Sequence, residues 1–330
     1  MNRPRLSSIF ASPTAVIRTV CSMLLGYVLV LGPLTSCSSS EAGAPGGPAV
    51  RESKTDGPAF SRPELALSTI NLEALSGTTD AGIDVSNASS GYVNAVATSD
   101  NRLKFQVTMG TMEYYYDMPS DGTPIAVPIN GGSGSYTFQI MQNTRSNLYA
   151  ALGDAVTVDV QLTDEFQPFI RPNVYCSYDE NSLVVQKANE LAANAENQGD
   201  VLASIYSWIV ENVRYDEEKA EGVVNGTIAD GYIPNPDATL QAKTGICFDY
   251  ASLAAAMLRS QGIPCKIITG DVSPDSIYHA RNMVYHNGTW INARMNVDSG
   301  TWTRIDFTFA AGGATAYAGD GMSYTDKFTY

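Results

Sequence analysis

The chain has 330 residues, 44% of them hydrophobic and 16% charged, which is enough apolar side chain for one large or two ordinary cores and too much for a disordered polymer. Its formal net charge is −14, and beyond the first 36 residues 17 basic side chains stand against 34 acidic ones. That balance argues against nucleic acid as a partner, because such binding depends on cations meeting phosphates.

Residues 1–18 hold Arg3, Arg5 and Arg18 and no acid, and Thr19 to Leu34 is an apolar run too short for a comfortable membrane span, interrupted by Gly32-Pro33. This is the layout of a signal peptide, residues 1–36. It closes on Leu34-Thr35-Ser36-Cys37, which resembles the bacterial lipobox; the resemblance implies a diacylglyceryl group on Cys37, a new N-terminus there, and a protein held on the outer side of the cell membrane. The following stretch, to about residue 65, is rich in Ser, Gly, Pro and Ala and reads as a flexible spacer. Three cysteines remain beyond it, Cys176, Cys247 and Cys265. An oxidising exterior permits a Cys176–Cys265 bridge, and an odd number leaves at least one thiol unpaired or intermolecular.

Between about Ser90 and Leu162 seven short apolar runs alternate with turn residues: GYVNAVAT, RLKFQVTM, TMEYYYDM, PIAVP, SYTFQIM, NLYAAL and AVTVDVQL. Their spacing suggests an antiparallel β-sandwich of the immunoglobulin-like kind over residues 66–175. These strands carry no His or Cys, and the tyrosines at 114 to 116 are more readily packing than recognition.

The pattern changes after Cys176. Asn181 to Asn197 reads as a helix, and a second begins at Asp200, an N-cap candidate, with Leu202, Ile205, Tyr206, Ile209 and Val213 on one face. Residues 221–245 hold too many Gly, Pro and Asn for a regular element. A third helix follows, with Ile246, Tyr250, Leu253, Ala254, Met257 and Leu258 on one face and its stop at Gly262 before Pro264. Cys247 sits in its first turn, where the partial positive charge of a helix N-terminus favours an anionic sulfur. A strand over Ile267 to Val272, a polar loop, a strand opening at His279, the turn Asn287-Gly288 and a return strand TWIN complete the segment.

A lone cysteine on an Ala-rich helix is ordinarily a small buried hydrophobe, and a lone histidine at a strand start is ordinarily structural. The chain has only two histidines, His279 and His286, and strand alternation points them to opposite faces. A thiol at a helix N-terminus with an imidazole on a neighbouring strand is the arrangement that thiol acyl transfer needs.

From about Ile205 to Phe309, about a third of the chain, the sequence resembles the transglutaminase-like, papain-type domain. The resemblance is carried by WIVENVRYD, by GICFDYASLAAAMLRSQGIPCKIITG and by YHARNMVYHNGTWIN. It implies an α+β fold over residues 176–330, with the β-rich segment before it as an accessory domain. It implies Cys247 as nucleophile, forming a thioester with an amide substrate, His279 as base and acid, the Cys247 backbone N–H as an oxyanion donor, and an aspartate orienting the histidine. The aspartate usually lies about fifteen residues after the histidine, where this chain has Arg294. WTRIDFTF offers Asp306 if the hairpin carries an insertion; Asp298 is second, and a lost aspartate third. Arg281 stands where the family commonly has Trp, and a cation there would disfavour an imidazolium beside it.

The expected activity is a surface thiol enzyme acting on peptide or isopeptide amides, a cysteine peptidase or amidase ahead of a crosslinking transglutaminase, with a protein or peptide substrate at the cell envelope. The other class is an inactive transglutaminase-like lipoprotein that binds a partner. No CxxC, HExxH, EF-hand or phosphate-cradling glycine motif is present, so no metal or cofactor is expected. Palmitate fed to producing cells should label the protein, and a Cys37→Ala chain should carry no label.

Overall fold

Alternation of apolar and polar residues dictates the strands of the amino-terminal half, because a pleated strand buries every second side chain against a core. The structure is a computed structural model, and it describes residues 55–228, 231–272, 277–292 and 324–330. All fall in one compact unit, Glu52–Tyr330. Eight strands come first: β1 (Ser76–Thr78), β2 (Ala81–Asp84), β3 (Tyr92–Ala97), β4 (Leu103–Met109), β5 (Met112–Met118), β6 (Ile125–Pro128), β7 (Gly134–Arg145) and β8 (Leu148–Val160). They make two four-stranded antiparallel sheets, ordered β1-β2-β3-β6 and β5-β4-β7-β8. Val93, Ala95 and Val127 of the first and Phe105, Val107, Phe138 and Ile140 of the second belong to one apolar cluster.

The sequence separates NLYAAL from AVTVDVQL, but they form the single long strand β8, which passes Gly153 at φ 72. Its pairing with β7 slips between Phe138 and Ile140, so the apparent turn is an irregularity inside a strand. β1 and β2 escaped the sequence pattern because they are short and Gly-containing.

The second half holds five helices: α1 (Leu183–Leu191), α2 (Gln198–Asn212), α3 (Glu217–Asn225), α4 (Pro236–Ala242) and α5 (Cys247–Ser260). The helix expected over 181–197 stops at Leu191. Asn197, rather than Asp200, caps α2: its side chain accepts from the Asp200 N–H at 3.0 Å, and Asp200 answers at the third position by accepting from the Asn197 N–H. Residues 221–245, expected to be irregular, carry the end of α3 and all of α4; Pro236 fits the first turn of α4, where no N–H is needed. The spacer reading also runs too far: Phe60 N–H donates to Glu196 O, Gln198 N–H donates to Pro58 O, and Asp56 pairs with His286 at 3.4 Å. Those backbone bonds hold a segment whose composition offers little to bury.

Two further sheets follow: β9 (Arg214–Tyr215) with β10 (Thr244–Gly245), a short parallel pair, and a four-stranded antiparallel sheet of β11 (Cys265–Val272), β12 (Ile277–His286), β13 (Thr289–Asn292) and β14 (Tyr324–Thr329) in the order β13-β12-β11-β14. The β12–β13 turn has positive φ at both Asn287 (48°) and Gly288 (82°), the mirror-image turn that their sequence calls for.

Helix α5 lies at the centre. Its apolar periodicity marks out one face, yet every residue from Asp249 to Ser260 is buried. Its polar side chains must therefore find partners inside the protein. Arg259, only 1% exposed, does so most completely: Nε donates to Cys265 O at 2.8 Å, Nη1 to Arg171 O at 2.9 Å, and Nη2 to Tyr330 O at 2.9 Å. Arg259→Leu would remove a donor from all three carbonyls, of which Tyr330 O keeps the Ile267 N–H. At about 1–3 kcal/mol for each of the other two, a loss of at least about 2 kcal/mol is expected, read as a lower denaturant midpoint.

Candidate active site

Cys247 is the first residue of α5, and its cap residue is Ile246, which has no side-chain hydrogen bond to offer. The first turn is instead held from inside. Asp249, 0% exposed, accepts from the Ile246 N–H at 2.8 Å, from Lys219 Nζ at 2.6 Å and from the Tyr232 hydroxyl. Lys219 also lies over the Tyr232 ring, 4.2 Å from its centroid. Gly245 makes room for this seat, since a Cβ there would stand 2.6 Å from the Cβ of Asp249. Lys219 comes from α3, just ahead of the region expected to be irregular, and Tyr232 from within that region, before α4. Removing one partner of such a buried ion pair typically costs about 3–5 kcal/mol, because the other charge stays buried alone.

The three described thiols divide clearly. All are free; no Cys176–Cys265 bridge is formed. Cys176 and Cys265 are buried beside Arg259, whose Nη1 donates to Cys176 Sγ at 3.0 Å. Burial pushes both thiols up, Cys265 to about 12, with the Arg259 charge working in the opposite direction. These are inert structural sulfurs. Cys247 alone is partly exposed.

Two tyrosines border Cys247. Tyr215, on β9, is pushed up to about 12, first by burial and then by electrostatic interaction with Cys247 and with the carboxylates Asp249, Glu217 and Asp216. Tyr278, on β12, is raised by burial, held back by its hydrogen bond to Thr269 and by Lys327, and raised further by Asp271 and Cys247. On the other side, Phe248 packs its ring 5.1 Å from that of Tyr175, which meets Tyr330 at 4.7 Å. Tyr116 stands 5.5 Å from Tyr330, and Tyr114 is 5.3 Å from Phe328. The tyrosines of β5 thus pack inward against β14, except Tyr115, which is exposed.

His279 follows Tyr278 on β12 and is buried, 7% exposed. β12 is fastened to α5 by Asn282 Nδ2, which donates to Ala251 O, one helical turn past Cys247, at 3.0 Å. Strand alternation sets Ala280, Asn282 and Val284 on one face of β12 and His279 with Arg281 on the other. His279 pairs in register with Gly270, and Gly270 in turn with Asp326 of β14. Arg281 reaches over the same face to Asp326 at 2.7 Å and lies 4.7 Å from the centre of the Tyr324 ring. Its positive charge is therefore matched by a carboxylate. His286 lies at the far end of β12, beside Asp56. Asp306, Asp298 and Arg294 lie outside the described residues, as does Cys37. Cys247 and His279 thus lie on two elements joined by the Asn282–Ala251 bond, with alternation turning His279 to the strand face opposite Asn282. Sequence reasoning had not found Lys219, Tyr232 or Asp249; the acid three residues after the helix start was the available signal for the last.

Residues 185–295 match the model of the transglutaminase-like superfamily. Two curated relatives are UPF0252 proteins: one from Methanocaldococcus jannaschii is 24% identical over 103 residues, covering 31% of this chain and 28% of that one. The other, from Archaeoglobus fulgidus, is 30% identical over 126 residues, covering 34% of this chain and 40% of that one. This chain thus spans less than half the length of either. Among solved structures, a proposed cysteine protease from Cytophaga hutchinsonii is similar at a TM-score of 0.35 and 19% identity, covering 71% of this chain and 80% of that one. Red sea bream transglutaminase is similar at a TM-score of 0.29 and 13% identity, covering 64% of this chain and 50% of that one.

Tyrosines whose ionisation the fold opposes set an alkaline limit. A tyrosine whose folded pKa is raised above its unfolded value of 10.0, as at Tyr215 and Tyr136 (both to about 12), lends stability that is complete below pH 10 and is lost as the pH climbs towards 12. Thermal midpoints should fall steadily above about pH 10, and tyrosinate absorbance of the folded protein should lag behind that of the denatured chain until unfolding.

Proposed function

We propose that this chain, which carries a transglutaminase-like superfamily domain, is a thiol enzyme acting on the amide bonds of peptides or isopeptides at the outer surface of the cell. The observation that carries this reading is the contrast among the thiols: two are buried beside Arg259, while Cys247 opens a central helix at a partly exposed position. In this reading Cys247 attacks the amide carbon, and the sulfur–carbon bond forms as the carbonyl electrons move to oxygen. Backbone N–H groups at the start of α5 stabilise that oxygen. His279 takes the thiol proton and passes it to the departing amine, leaving a thioester. Water then attacks the thioester and releases the acid and the free thiol; an amine in its place would make a crosslink. We place hydrolysis first, with Asp306 orienting His279 and Asp298 as second choice.

The alternative of an inactive binding protein drew its support from Arg281. Its pairing with Asp326 answers that point, since a neutralised guanidinium does not oppose an imidazolium beside it. The proposed immunoglobulin-like arrangement of the amino-terminal sheets is supported by their strand order, in which β3 pairs with β6 while β4 pairs with β7. Anchoring through a lipid on Cys37 completes the proposal; among the described residues no helix is long and apolar enough to cross a membrane.

An electrophilic thiol probe such as iodoacetamide should label Cys247 rapidly while sparing Cys176 and Cys265. His279→Ala should slow that labelling by about tenfold or more. An unchanged rate in a variant with an unchanged thermal midpoint would remove His279 from the reaction and favour the binding protein.

A further inference from the structure

A cavity of about 510 Å³ lies on the outer face of the β5-β4-β7-β8 sheet, at the end where the β7–β8 turn stands. That size falls within the range of small-ligand sites. The outer face is not uniform. One row across it runs Glu113, Thr108, Thr137 and Thr157, polar throughout, with the last two hydroxyls 2.9 Å apart. The cavity instead gathers Tyr115, Met141, Leu148 and Tyr149. Tyr115 is 43% exposed and Leu148 65%. Large apolar groups exposed together in this way mark a binding surface, where single scattered ones do not.

The lining is held still. The Tyr115 hydroxyl donates to Glu113 Oε1 at 2.7 Å and accepts from Gln106 Nε2 at 2.9 Å, so the ring is fastened from two strands. Lys104 Nζ stands 5.9 Å from the centre of the Tyr149 ring and 2.7 Å from Asp117 Oδ1. Arg102 Nη2 donates to Ser146 O at 3.2 Å and Asn143 Nδ2 to the same oxygen at 2.7 Å, which ties down the turn that carries Asn147 and Leu148. A site ordered beforehand loses little freedom on binding.

The chemistry of this lining selects among occupants. An extended peptide seeks the unpaired edge of a strand, but β4 beneath the cavity is paired on both sides, with β5 and β7. An acidic polymer or an anionic membrane seeks net positive charge, but Arg102 and Lys104 are matched one for one by Glu113 and Asp117. A saccharide needs what is present. The negative face of a tyrosine ring attracts the C–H groups of a pyranose, and the ammonium and amide groups beside it answer the hydroxyls. A pyranose whose substituents all lie in the plane of its ring shows C–H groups on both faces, as in the straight chains of cellulose and chitin.

We infer that this cavity binds a segment of an uncharged, straight-chain polysaccharide of the cellulose or chitin type, its rings stacked on Tyr115 and Tyr149 and its hydroxyls bonded to Lys104 and Asn147. Every residue of the lining comes from the amino-terminal sheets. Binding here uses no group of the thiol region, so it stands apart from the proposed activity.

The test is isothermal titration calorimetry of the full chain with cellohexaose, with N-acetylchitohexaose and with the bent chain of maltohexaose. Saturable binding of one or both straight sugars is expected, about tenfold tighter than maltohexaose or more. Tyr115→Ala should weaken it about tenfold, and Tyr115→Phe, which keeps the ring, by no more than about threefold. Both changes fall on an exposed side chain, so thermal midpoints should stay in place. Absence of saturable binding by either straight sugar would overturn the proposal. So would equal affinity for maltohexaose, or undiminished affinity in both Tyr115→Ala and Tyr149→Ala chains. Binding of decaglutamate or of phosphatidylglycerol vesicles, with none of either straight sugar, would overturn it in favour of an anionic partner.

Discussion

The burial of α5 on every side is the constraint on which the rest of this structure depends. A helix with one wet face can carry polar residues without consequence, but one enclosed all round must pair each of them within the protein. Two residues answer that demand at opposite ends. Asp249 gathers Lys219, Tyr232 and the Ile246 N–H at the beginning, and Arg259 gathers three carbonyl oxygens near the end. Each set includes partners from distant parts of the chain, Lys219 and Tyr232 in one and Arg171 and Tyr330 in the other, so the helix is fixed along its axis and in rotation by groups that tolerate little displacement. That fixes where Cys247 points.

The same demand sorts the cysteines. A sulfur beside a buried guanidinium and among apolar side chains stays protonated and unreactive, as at Cys176 and Cys265, whereas the end of a helix is where water and substrate have access. Location, more than the identity of the residue, separates the partly exposed thiol from the two buried ones. β12 and β14 then carry a pair of opposite charges, with Arg281 and Asp326 cancelling across the narrow gap left by Gly270 of β11.

Much of this was legible beforehand, and unevenly. Strands with strict alternation, such as β4 with Leu103, Phe105 and Val107 inward, and the turn Asn287-Gly288 announce themselves because their signals are local. The start of α5 at Cys247 was equally plain, and the superfamily match over 185–295 agrees with the blocks that first suggested it. Long-range facts were not accessible. Nothing near Lys219 or Tyr232 indicates that they meet at Asp249, and Arg281 looked like an isolated cation until β14 brought Asp326 to it. Helices α3 and α4 were hidden by Gly and Pro residues that turn out to sit at their ends and first turn, where those residues are tolerated.

β14 pairs with β11 rather than with the strand before it in sequence, and Arg259 clasps the main chain just beyond it at Tyr330. Until residues 324–330 dock, β11 presents a bare hydrogen-bonding edge rich in Ile and Val to whatever lies nearby. Synthesis from the amino end therefore delivers this adhesive edge before the strand that covers it. Clipping a handful of residues from this strand would convert an ordered protein into one prone to self-association, leaving Cys247 and His279 untouched.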